Sequence, residues 1–367
     1  MIILNYPRAT VATAVAVLAA SVALVAQEPS NIVSLKVAPE SAPAGEIAQM
    51  KVRITEPKPI TTGGGRFGSG FSRIEGIALT SPARDVAGAA VVHGGDVVIN
   101  MVSPSGTFGM EPDYPALTIA GRVPNASLGT RFPMTIDAGA LRLFDASGTL
   151  YPVEAKQGTL TVGSGLSVGN VVPGSANLPA GAVVSIFGTG FQPRTHVRFK
   201  EIELAQVRYV SARRIDVVLA QPAHMHGVAV RVKNPDGQEV FYFSYQRTTR
   251  VGTTVDPVLA ATYPIFPTST TRAATVRLPS GSSGLAVQNP GAISTTVFAE
   301  LLTASGQPLA AGVLSVPGDS YVVRRASEVF GFTHAGAVLV RLRAVDPVQA
   351  LGIELTSAGS ALPILPQ

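Results

Sequence analysis

Hydrophobic residues recur at every second position through most of this chain. Val33/Leu35/Val37, Met50/Val52/Ile54, Val97/Ile99/Met101 and Leu117/Ile119 alternate with polar or small residues, as strands with one buried face require. The alternation resumes at Val184/Ile186, Ile215/Val217/Leu219 and Val228/Val230/Val232. It returns at Val276/Leu278, Leu285/Val287, Val297/Ala299/Leu301, Leu314/Val316, Val338/Val340/Leu342 and Leu351/Ile353/Leu355. Pro279-Ser-Gly281, Asn289-Pro-Gly291, Ser305-Gly306 and Pro317-Gly-Asp319 break the last set with turn chemistry. Only Arg325–Phe330 reads as a helical turn. The pattern predicts an all-β chain. Two junctions, Gly/Ser-rich Val162–Leu166 and polar Gln246–Asp256, divide it into three tandem β-sandwich domains at 31–163, 166–246 and 257–367.

The N-terminus has a different grammar. Met1–Arg8 carries one positive charge, and Ala9–Ala26 is small and apolar without an acidic residue. Residues 1–26 read as a secretory signal peptide, cut after Ala26 or at Ala23. The alternative is an uncleaved anchor, which would be the chain's one contact with a membrane. Composition supports export. Apolar residues make up 46%, with 37 Gly, 28 Pro, 14% charged residues and no Cys, so hydrophobic cores alone must hold short strands joined by turns. This points to a bacterial protein that is secreted, periplasmic or at the cell surface. The net charge of +5 is a small excess. Its densest basic stretch, Arg194–Arg214, is interrupted by Glu201 and Glu203 and reads as a solvated face, so nucleic acid is excluded as a partner.

Three segments carry a family likeness. Val183–Phe191 runs into Gly188-Thr-Gly190, Tyr209–Leu219 alternates again, and Asn234-Pro-Asp-Gly237 turns into Phe241–Tyr245. In this order they resemble the IPT/TIG family, an immunoglobulin-like β-sandwich, over residues 166–246. In the aromatic strand, Phe241, Phe243 and Tyr245 are expected to face the core or rim, with Tyr242 outward. Ala42-Pro-Ala-Gly45 before Met50–Ile54, Gly95–Asn100 and the closing Leu141–Val162 are similar to cohesin-type sandwiches over 31–163. Cohesins bind dockerin modules, but the likeness extends to the fold and not to that partner. Residues 257–367, through Gly284–Pro290, resemble the β-rich modules that follow IPT/TIG units in exported bacterial proteins.

Catalytic patterns fail on their context. Gly165-Leu-Ser-Val-Gly169 fits a nucleophile elbow around Ser167, but no helix follows it. Gly63-Gly-Gly-Arg-Phe-Gly68 fits a dinucleotide loop, yet Ser69–Ile74 does not open a helix. The stretch through Phe71 is expected to be a mobile loop with Gly63, Arg66, Phe67 and Phe71 as binding candidates. His224 and His226 form the one close histidine pair. They lack an evident third metal ligand beyond distant Asp216, so they are expected as exposed loop residues that can also contact a ligand. Glu111 and Asp113 flank Pro112 without an Asp-rich calcium loop. With no Trp and few Tyr, a flat sugar platform is hard to build. These readings predict a non-catalytic adhesion, scaffold or interaction protein with no cofactor and no metal. Its partner would be an extracellular or envelope protein, or a polysaccharide if the chain is a carbohydrate-binding accessory module.

Overall fold

The computed structural model describes residues 32–367 except 84, 111–113, 175–176, 226, 245–248, 268, 281–282, 332 and 358–359. The proposed signal segment, Glu111, Asp113, His226 and Tyr245 therefore lie outside the described residues. The fold is all-β, built of several sheets with, among the described residues, two five-residue helices, Pro257–Ala261 and Ala326–Phe330. The second is the helical turn read from the sequence; the first was not anticipated. No helix among the described residues is long and apolar enough to cross a membrane.

In the first region a five-stranded sheet runs in the order Val153–Lys156, Val33–Val37, Ile47–Ile54, Leu117–Arg122, Arg73–Leu79. It packs on a second sheet whose central strands are Arg131–Ile136, Thr62–Gly68, Asp96–Val102 and Ala87–His93. Val33, Met50 and Ile119 from one layer meet Phe67, Ile99, Met134 and Leu160 from the other in a single core. Alternation thus becomes a sandwich.

The expected Gly-rich loop is a strand. Thr62–Gly68 is antiparallel to Asp96–Val102 along its full length, and its other edge is shared by Arg142–Phe144 and Arg131–Ile136. Glycines are needed because neighbours occupy the space of their missing side chains. A Cβ on Gly63 would lie 2.6 Å from Leu143 Cδ2 and 2.9 Å from the Arg142 carbonyl oxygen. Glycine marks close approach here, not mobility.

The second region has a four-stranded sheet, Ser167–Val172, Val183–Thr189, Arg214–Leu219, Leu204–Ser211, over a three-stranded one, His196–Phe199, Ala229–Lys233, Glu239–Phe243. Val184, Ile186, Ile215 and Val217 pack against Phe199, Val230, Val232 and Tyr242. Tyr242 is thus inward and 2% exposed, while Phe241 is 46% exposed, the reverse of the expected facing. Register decides it: Tyr242 pairs with core residue Val230, and Phe241 with Arg231 on the outer face. Phe243 shares that outer face but is buried under Tyr114 of the first region, with ring centroids 5.8 Å apart.

In the third region the 18-residue strand Val338–Leu355 serves two layers. Its first half pairs with Thr295–Thr303 and Thr271–Leu278, and its second with Gly284–Asn289 and Ala361–Ile364. The sequence suggested two strands; the chain runs on past Pro347, where the ladder is unpaired.

The regions are joined by shared structure. Thr262–Ile265, from the C-terminal part, pairs with Ala87–His93 of the first region. Ala87, Ala89 and Val91 pack with Leu259, Ala286 and Leu351, while Ile47 and Ala120 of the first region enter the second core.

Candidate functional site

Where these shared contacts leave off, strands from all three regions wall a cleft of ≈ 780 Å³. The first region contributes Ile77–Pro82, Tyr114 and Thr118. The second contributes Asn177, Lys200, Glu201, His224 and Phe243, and the third Phe266, Gln288 and Gln349. That volume lies within the usual range for small-ligand sites.

Local structure fixes the polar members. His224 stands on the two-residue strand Ala223–His224 opposite Asn177–Leu178, and its Nδ1 is 2.7 Å from Asn177 Oδ1. Lys200 follows the strand His196–Phe199; its ammonium lies 4.3 Å from the Tyr114 ring centre and 4.0 Å from Glu201 Oε1. Ser81 is 6% exposed and shares Asp85 Oδ1 as an acceptor with Ser103, which fixes the loop at this end of the cleft. Gln288 and Gln349 face each other across the pair Gly284–Asn289/Val338–Leu355 and are 3% and 7% exposed. Gln288 Nε2 and Gln349 Oε1 are fully enclosed and have no hydrogen-bond partner.

The sequence candidates are scattered. His224 lines the cleft. Gly63 and Arg66 instead line a separate groove of ≈ 580 Å³, with Asn100, Arg142, Phe144 and Leu362. Arg66 is paired there with Asp96 at 2.5 Å, and hydrogen bonding to that carboxylate raises the guanidinium pKa. Phe67 and Phe71 are core residues at 6% and 4% exposure and do not present binding surface. The strand pleat sends neighbouring Arg66 and Phe67 to opposite faces, and Phe71 lies beyond the end of the strand.

Ser167 begins a strand rather than a strand-to-helix turn. It is 2% exposed, and its hydroxyl lies 2.7 Å from Thr189 Oγ1. Asp216, considered as a third metal ligand, accepts from Ser185 Oγ at 2.8 Å and from Arg214 Nε and Nη2. The Arg214 bonds are the main reason its carboxyl is held below the usual range, against the opposing effect of burial. Among the described residues, no three His, Asp or Glu side chains gather as a metal site.

Gln288, Gln349, Tyr114 and Phe266 went unnoticed in the sequence. Each sits in an ordinary strand or turn, and only the packing of distant strands brings them together.

No family model matches the chain, and no curated protein matches it. Solved structures similar to part of it include cohesins. A non-cellulosomal cohesin from the hyperthermophilic archaeon Archaeoglobus fulgidus is 16% identical, covering 36% of this chain and 91% of that one, with a TM-score of 0.31. The third cohesin ScaC from Acetivibrio cellulolyticus, solved with the ScaB dockerin, is 15% identical over 36% of this chain and 99% of its own, TM-score 0.31. CaCohA2 from Clostridium acetobutylicum is 15% identical over 36% of this chain and 91% of its own, TM-score 0.29.

Proposed function

We propose that the chain is an exported, non-catalytic interaction protein, an adhesion or scaffold component acting outside the bacterial cytoplasm. In this reading residues 1–26 direct export, and units 31–163, 166–246 and 257–367 are a frame for recognition. The observation that carries it is the make-up of the cleft wall, where carboxamides, hydroxyls, proline rings and aromatic rings from all three regions converge. Such groups hold a ligand reversibly by hydrogen bonds and ring contact. The ionisable side chains at the rim are already engaged, His224 with Asn177 and Lys200 with Glu201. The partner is an extracellular or envelope protein, or a polysaccharide, and no cofactor takes part.

Calorimetric titration of the chain from Gln27 onward against soluble envelope proteins and polysaccharides, with chemical analysis of the recovered ligand, tests this. Saturable binding and an intact ligand are expected. A ligand recovered with a broken or new covalent bond overturns the proposal.

A second reading, a carbohydrate-binding accessory module, is favoured by Tyr114, Phe243 and Phe266 lining the same cleft as the carboxamides. These rings set apolar carbon beside the cleft's polar groups, as a sugar ring requires.

A further inference from the structure

Gln288 and Gln349 stand directly opposite each other in antiparallel register, so their side chains leave the same face of the sheet. Both are more than nine-tenths buried, and both line the cleft. One presents an amide nitrogen and the other an amide oxygen, and neither atom has a partner. Folded proteins pair nearly all such buried groups, because removing a donor or acceptor from water without replacing its hydrogen bond is unfavourable. Here a donor and an acceptor of matching strength are left side by side in one wall of a cleft. Both atoms are enclosed in the wall, and a half-turn of either carboxamide exchanges its two groups and brings the unpartnered one within reach of a ligand.

The rest of the wall narrows the chemistry. Thr118 and Ser81 add hydroxyls, and Asn177 and Gln221 add two more carboxamides. Tyr114, Phe243 and Phe266 add aromatic carbon, with Phe243 lying beneath Tyr114. The charged side chains Lys200 and Glu201 lie against each other at 4.0 Å, so the wall has no strong preference for an ion of either sign. A ligand matching this surface is neutral, carries neighbouring groups that each donate and accept, and has an apolar face for the rings. A sugar ring has all three properties: adjacent hydroxyls on its edge and C–H groups on its face.

We propose that the cleft binds a neutral oligosaccharide, with Gln288 and Gln349 hydrogen-bonding adjacent hydroxyls of one sugar unit. This rests on the reading of the chain as a binding protein and gives its cleft a ligand class. The competing account is that the two carboxamides rotate and bond to each other, serving only the fold.

The test uses the full chain from Gln27, with Gln288→Met, Gln349→Met and the double variant. Methionine keeps the length of the side chain and fills the same space without a polar group. The probes are short neutral oligosaccharides of glucose, galactose, mannose and N-acetylglucosamine, followed by saturation-transfer NMR and calorimetry. At least one probe is expected to bind, with each single variant raising Kd tenfold or more. The melting temperature should be unchanged or higher, because no internal hydrogen bond is lost. Three outcomes overturn the proposal. No probe binds; binding survives in both single variants; or each single variant lowers the melting temperature while the double variant lowers it no further, as for two side chains bonded to each other. Cleavage of a bound probe that also depends on the two glutamines would support the site and overturn the non-catalytic reading alone.

Discussion

The side-chain carboxamide of Gln49 is hydrogen-bonded to both main-chain groups of Phe243. Its Nε2 donates to the carbonyl at 2.8 Å, and its Oε1 accepts from the N–H at 2.9 Å. Phe243 ends the edge strand Glu239–Phe243, so a single side chain of the first region supplies the bonds that a further strand would make. Gln49 is 2% exposed, which leaves no water to replace it. Gln49→Leu therefore strands two buried main-chain groups and should destabilise the chain by about 2–6 kcal/mol, at roughly 1–3 kcal/mol for each group. Urea unfolding measures this. Gln49→Glu sets a buried carboxyl against the Phe243 carbonyl oxygen, so it should be at least as destabilising as Gln49→Leu at neutral pH and recover toward the wild type in acid, where the protonated carboxyl can donate.

Two turns of the second region depend on each other in the same way. Asn234 Nδ2 donates to the Gly190 carbonyl at 2.7 Å, and its Oδ1 accepts from Thr195 Oγ1 at 2.6 Å. Gly190 itself has φ +72°, and a Cβ there would lie 2.5 Å from the Gly165 carbonyl. Gly190→Ala combines left-handed backbone strain of about 1–2 kcal/mol with main-chain overlap. It should lower stability more than Asn234→Ala, for which about 1–3 kcal/mol is expected. Thermal unfolding of both variants checks the order.

These turns also mark how far the sequence could be read. Alternation located most strands, and Asn234-Pro-Asp-Gly237 does connect Ala229–Lys233 to Glu239–Phe243, with the Gly237 N–H donating to the Asn234 carbonyl at 3.0 Å. Reading failed where residue type carried no alternation. In Phe241-Tyr-Phe243 every position is aromatic, so register against Val230 decided which ring turned inward. In Gly63–Gly65 there is no side chain to alternate, and the groups that require glycine, Leu143, Asn100 and Leu141, lie far along the chain. The cleft was illegible for a related reason. Thr118, His224, Gln288 and Gln349 come from four strands in three regions, and no local pattern links them.

Alkaline pH should weaken the fold through Tyr321. The residue is 6% exposed and packs edge-on against Phe266 at 6.4 Å. Burial pushes its phenol up from 10.0 to about 12, with the nearby Arg250 guanidinium pulling the other way. Between these values the unfolded chain releases the proton while the folded chain keeps it. The stability this group contributes is fully present below pH 10 and is lost as pH rises to about 12. The loss amounts to roughly 2–3 kcal/mol for a shift of this size. Denaturant midpoints measured from pH 9 to pH 12 should fall more steeply for the wild type than for Tyr321→Phe, which cannot ionise. Equal slopes would contradict the burial effect.

A strand at Thr62–Gly68, in place of a mobile loop, has its own signature. The carbonyls and amides of this segment pair with Asp96–Val102 from Gly68 back to Thr62. Amide hydrogen exchange at Gly63–Phe67 should therefore be as slow as in the neighbouring strand, whereas a loop would exchange at once. Gly63→Ala places a methyl group against the Arg142 carbonyl oxygen at 2.9 Å and the buried Leu143 side chain. The main chain cannot yield without breaking the pairing of Leu143 with Gly63, so a loss of about 1–3 kcal/mol is expected. Arg66→Ala is the control. Its side chain lies on the solvent side of the same strand, paired with an Asp96 that is also exposed, and surface ion pairs contribute little to stability. Its melting temperature should match the wild type. If Gly63→Ala also matched, the close packing around the glycines would not be what holds this strand in the sheet.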